Sequence, residues 1–155
     1  TAMERAVDNF ETEYNYLPYI GAAYPGGDAE KGDCITATDD FITVLAGVGS
    51  NTPNFKSIRF FECQEPSGGP GNYKNGLLIN GASAELYLPW GTPLDQIWVD
   101  YDLDGSITHP YWWGGPPTNA QIIYLSWGED GLVAGGSGWA SNPVNNDNLQ
   151  VGLAE

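Results

Sequence analysis

The residues whose types and spacing could do chemistry are concentrated in one stretch, Asp100-Tyr101-Asp102-Leu103-Asp104-Gly105-Ser106-Ile107. It has the D-x-D-x-D-G-x-I pattern of a calcium loop. Carboxylates at loop positions 1, 3 and 5 converge when the glycine makes the sharp turn, and the carbonyl at position 7, here Ser106, adds an oxygen ligand. Position 12, which in an EF-hand is a bidentate Glu, is Tyr111. No helix pair flanks the stretch, so it is not an ordinary EF-hand. Two readings stand side by side: an oxygen-lined cation loop, or a strand followed by a solvated acidic turn. A donor set made only of oxygen suits calcium rather than zinc or copper.

Catalytic constellations are not evident, and the expectation is that the chain is not an enzyme and has no catalytic residues. His109 is the sole histidine and precedes Pro110, so no histidine pair exists for a metal. Gly135-Gly136-Ser137-Gly138-Trp139 fails the spacing of a nucleophile elbow. No Walker or Rossmann glycine pattern occurs. Tyr111-Trp112-Trp113 offers flat aromatic faces for stacking on a sugar or meeting a protein neighbour, including a host surface. Closing one end of a small core is the other reading of the same residues. Cys34 and Cys63 are the only cysteines. In an oxidising compartment they would pair, contributing about 3–4 kcal/mol in the chain-entropy model; in a reducing one they stay thiols.

Charge narrows the partners. The chain has 155 residues and a formal charge of −15, from 5 Lys+Arg against 20 Asp+Glu. A protein that binds nucleic acid neutralises phosphates with Lys and Arg, and a juxtamembrane surface site needs the same residues, so both are excluded as partners. Lys74 is the last basic residue; beyond it come nine carboxylates and no Lys or Arg. Gathered carboxylates repel, and a bound cation relieves that repulsion, although a solvated acidic surface is also consistent. No run of about 18 apolar residues is present to span a bilayer. Thr1-Ala2-Met3 reads as a remnant of cloning.

The elements that would position these residues begin with a helix. Val7, Phe10, Tyr14 and Leu17 recur at helical spacing as one apolar stripe, and the helix is predicted to stop at Pro18. No capping residue precedes it, which reads as the continuation of a longer helix. Thr38-Asp39-Asp40 reads as a cap with acids in the first turn of a second, short helix carrying Phe41, Val44 and Leu45 and ending at Gly47. Strands are predicted at 58–63, 76–79, 85–88, 96–101, 121–127 and 149–153, separated by Pro/Gly-rich stretches. Short connections favour antiparallel pairing. The order implies a single α+β domain over residues 1–155, with the N-terminal helix packed on a small antiparallel sheet through Val7, Phe10, Tyr14 and Leu17, and a loop-rich C-terminal region.

Five local motifs, in order, resemble type IV pilins and type II secretion pseudopilins, most nearly the major-pseudopilin type of Verrucomicrobia and related bacteria. They are Ala6-Val7-Asp8-Asn9-Phe10-Glu11-Thr12-Glu13-Tyr14-Asn15-Tyr16-Leu17-Pro18; Phe41-Ile42-Thr43-Val44-Leu45-Ala46-Gly47; Asn54-Phe55-Lys56-Ser57-Ile58-Arg59-Phe60-Phe61-Glu62; Leu88-Pro89-Trp90-Gly91-Thr92-Pro93-Leu94; and Tyr124-Leu125-Ser126-Trp127-Gly128-Glu129-Asp130-Gly131. Leu88 and Leu94 depart from the family's Asp and aromatic around Pro-Trp-Gly, and Tyr111-Trp112-Trp113-Gly114-Gly115 has no counterpart there.

The resemblance implies a non-enzymatic structural subunit of a pilus or secretion pseudopilus. Such a subunit is anchored in the inner membrane by a hydrophobic N-terminal helix absent from these residues, and then packs with other subunits. Its head is periplasmic or extracellular. The resemblance also implies a structural calcium ion in the loop from Leu125 to Asn148, with Asp130 and Asp147 as ligands and Asn148 as a further candidate. The alternative reading is an extracellular calcium-dependent module that binds carbohydrate or protein through Trp112 and Trp113.

Overall fold

The structure is a computed structural model that describes residues 2–25, 35–50, 52–107 and 120–129, and the backbone of 149–151. The chain divides into two compact units, Thr1–Pro25 with Ala37–Pro93, and Gly26–Thr36 with Leu94–Glu155. Its elements are an N-terminal helix, a second helix and small antiparallel sheets, an α+β arrangement.

In the first unit, α1 spans Ala2–Tyr14 and buries Met3, Ala6, Val7, Phe10 and Tyr14, the predicted stripe. The helix ends three residues before Leu17, which is itself buried. Asn15 takes a left-handed conformation (φ 59) while its N–H still bonds Glu11 O at 2.7 Å. A left-handed Asn is a common helix terminator, and it acts here ahead of Pro18. The buried face of α1 meets aromatic rings rather than a sheet surface. Phe10 lies 4.6 Å from Tyr14, 5.8 Å from Tyr16 and 5.1 Å from Phe60, centroid to centroid.

Helix α2 spans Thr38–Ala46, and it is this helix that packs on a strand pair. Thr38 was expected to cap it. Instead Ala37 occupies the cap position with no side-chain bond, and Thr38 is the first helical residue with its side chain buried. Asp39 and Asp40 do lie in the first turn. Gly47 ends the helix in the left-handed conformation, as expected. A Cβ there would sit 2.4 Å from the backbone oxygen of Ile58, so glycine is needed for both its φ and its lack of bulk.

Strands β1 (Gly76–Asn80) and β2 (Ser83–Tyr87) form an antiparallel hairpin, in register Leu78↔Glu85. The Thr43 hydroxyl accepts the N–H of Ala84 at 2.8 Å and so fastens β2 to α2. Residues 58–63, expected as a strand, join no ladder. Their backbone is committed elsewhere: Phe60 N–H and Phe61 N–H both bond Leu45 O, at 2.9 and 3.0 Å.

In the second unit, β3 (Gln96–Val99), β4 (Ile122–Ser126) and β5 (Leu149–Val151) form an antiparallel sheet in the order β3-β4-β5. Every residue of β4 is buried. Trp98, Ile123 and Leu125 pack with Ile107 in one cluster, which sets where the loop after β3 must return. Among the described residues, no helix is long and apolar enough to cross a membrane.

Candidate metal centre

The acidic loop leaves the end of β3. Asp100 N–H bonds Gln121 O at 3.0 Å, so the first carboxylate is fixed against the start of β4. At the far end Ile107, fully buried, seats the loop in the core. Between these two anchors the backbone is folded back tightly. Leu103, exposed, adopts φ 59, and Gly105 adopts φ 84. A bulky residue in the left-handed region costs of order 1 kcal/mol, so the loop keeps this shape against a local penalty.

The carboxylates accept backbone N–H groups of the turn, with Asp100 buried and Asp102 and Asp104 exposed. Asp100 is only 3% exposed. Its Oδ1 accepts the N–H of Asp104 at 3.2 Å, and its Oδ2 accepts the N–H of Gly105 at 2.9 Å. Asp102 Oδ1 also accepts the Asp104 N–H, at 3.2 Å. Asp104 Oδ1 accepts both the N–H and the hydroxyl of Ser106, at 2.8 and 2.9 Å. One oxygen each from Asp100, Asp102 and Asp104 lies within 4.8 Å of the others. Loop positions 1, 3 and 5 therefore converge as the sequence pattern requires.

These donors fit a hard divalent cation. They are all oxygen, and an ionised carboxylate has about four lone-pair sites, more than the N–H bonds named above use. The Ser106 hydroxyl is turned to Asp104, which leaves the carbonyl as that residue's available ligand. Backbone N–H groups offset part of the repulsion among the three acids, and a cation would offset the rest.

Asp130, Asp147 and Asn148 lie outside the described residues, as do His109, Tyr111, Trp112, Trp113 and Cys34. Cys63 is an exposed free thiol.

Two polar residues carry more structure than the sequence marks. Asp95, at the start of β3, accepts the Trp127 N–H at 2.9 Å, and burial pushes its carboxyl above the ordinary range. Asn54, fully buried, satisfies all its side-chain polar atoms. It donates to Val44 O and Ile58 O, both at 2.7 Å, and accepts from Tyr14 Oη at 2.7 Å and Ile58 N at 2.9 Å. Asp95 reaches 32 positions to Trp127, and Asn54 joins the nearby Ile58 to Tyr14, 40 positions away, so no local pattern announces either.

Comparison with known proteins finds no matching family model, no matching curated protein and no matching solved structure.

Proposed function

We propose that the chain is the head of a pilin-like or pseudopilin-like subunit, a non-enzymatic structural protein of the cell envelope. Its partners are other subunits of a type IV pilus or type II secretion pseudopilus. Assembly and inner-membrane anchoring run through a hydrophobic helix that continues α1 toward the N-terminus. The observation that supports this reading is α1 itself. One face is buried from Met3 to Tyr14 while Asp8 and Glu13 are exposed, so the helix is built into the unit along its length and is oriented to carry it. The five-motif resemblance supplies the rest. The natural reading frame around Thr1 tests it: a prepilin cleavage site followed by about 20 apolar residues is expected, and a plain secretion signal there would sink the idea.

The head holds structural calcium in the Asp100 loop. Ligand that binds only the folded state stabilises it by about 2.7 kcal/mol at a hundredfold excess over Kd. Millimolar calcium is expected to raise the melting temperature and a chelator to reverse the rise, with Asp102→Ala removing the response. Equal melting curves with calcium and chelator would remove calcium from the account without touching the subunit reading. No described residue favours the alternative carbohydrate-binding module.

A further inference from the structure

The outer edge of β1 is covered by Gln64 and Pro66 at Gly76 and Leu77 and opens beyond them. Leu77 turns its N–H outward, to Gln64 O at 2.9 Å, and across the hairpin Ala84 N–H turns away from β1, to Thr43. Antiparallel ladders alternate between bonded and non-bonded pairs. Ile79, opposite Ala84 and two residues past Leu77, therefore presents its N–H and C=O on that same outer edge. No described residue bonds them there. The preceding segment meets β1 at Gln64, while Phe60 and Phe61 turn their N–H groups to Leu45 O, and a groove lies beside β1. The groove is lined by Arg59, Glu62, Cys63, Glu65, Leu77 and Ile79, among others.

Proteins guard exposed edges with charges, proline or bulges. β1 reads Gly-Leu-Leu-Ile-Asn, with no charge and no proline, and Ile79 is 40% exposed. An unguarded edge beside a groove is the geometry of strand addition, in which main-chain bonds give affinity and alternate side chains give specificity. Charge selects the occupant. Glu62 and Glu65 outnumber Arg59, which already lies 3.7 Å from Glu62, and the whole chain is −15. A second copy would bring the same negative charge to the contact.

We infer that this edge receives an extended segment of a partner protein with alternating apolar and cationic residues. Its backbone pairs with Ile79, its apolar side chains lie toward Leu77 and Ile79, and its Lys or Arg faces Glu62 and Glu65. This is independent of the calcium loop and of the assembly reading.

The test titrates the 155-residue chain with an alternating lysine/valine hexapeptide and follows backbone amides by NMR. The Ile79 amide is expected to shift and its hydrogen exchange to slow. A peptide methylated on alternate backbone nitrogens is expected to lose binding. Glu62→Lys with Glu65→Lys, both at the surface, is expected to weaken the lysine peptide by about tenfold or more, and to admit a glutamate/valine peptide. An unchanged Ile79 amide at millimolar peptide overturns the inference, as does equal binding of the methylated peptide. Equal binding of the glutamate peptide to the unaltered chain overturns the charge assignment. Slowed Ile79 exchange on raising protein concentration alone makes a second copy the occupant and overturns it too.

Discussion

Asn54 illustrates how one buried side chain can hold three segments together. Its amide reaches Tyr14 at the end of α1, Val44 in α2 and both backbone groups of Ile58. A buried polar network is favourable only when every member is satisfied, and this one is. Asn54→Ala would take the side-chain partner from the part-buried Ile58 O and Ile58 N, and would leave Val44 O with only the Gly47 N–H. The expected cost is about 2–4 kcal/mol, measured by denaturant unfolding, since an orphaned buried polar group costs about 1–3 kcal/mol. Tyr14→Phe removes a single bond to the hub and is expected to cost less. The acidic loop works on the same principle with charges. Asp100 is tolerated in a 3%-exposed position because two backbone N–H groups meet its two oxygens, against the repulsion of the exposed Asp102 and Asp104.

At the scale of elements, packing α2 on β2 brings like charges together. Burial, then the carboxylates of Glu85 and Asp40, hold Asp39 above its ordinary range. Glu85 in turn accepts the Tyr87 hydroxyl at 2.6 Å, and that bond, with burial, pushes the phenol up to about 12. Raised carboxyl values mean the folded state binds protons more tightly than the unfolded chain, so stability falls as pH rises through the window between them. For Asp39 the window opens at the ordinary value of 3.8 and closes at its raised folded value. Melting curves of Asp39→Asn against the unaltered chain should therefore diverge with pH. The variant's relative melting temperature is expected to rise as pH climbs past 3.8 and then to level off; a constant offset would contradict the assignment.

The elements also show what was legible beforehand. The strands at 76–79, 85–88 and 121–127 have alternating or continuous apolar residues bounded by Gly, Pro or Asn, and all three form. Gly47 was readable because a left-handed stop has a residue signature. Segment 58–63 has the same β-prone composition as the true strands, but its amides go to a helix C-terminus, a tertiary competition that composition does not record. Thr38 looked like a cap by type, yet its side chain is drawn into the core, leaving Ala37 at the cap. The aspartate convergence was readable because Asp-x-Asp-x-Asp-Gly specifies a local turn. The Asn54 hub was not, because its bonds to Ile58 are local but Tyr14 and Val44 come from two other elements.

For the whole molecule, the charge of −15 has a clear distribution. Every Lys and Arg lies at or before Lys74, and among the described residues Asp100, Asp102 and Asp104 gather on one turn. That pattern suits a head that carries bound cations and faces water, while association is left to a helix and to an uncharged strand edge. The measurement that tests the central claim most directly is the location of the natural gene product in its own cell. Inner membrane, soluble periplasm, medium and sheared surface fibres would be separated and probed with an antibody raised to this chain. The account predicts protein in the inner membrane, and in pelletable fibres when the subunit is overproduced. Protein found wholly in the soluble periplasm or medium, with none in membrane or fibre, would contradict it.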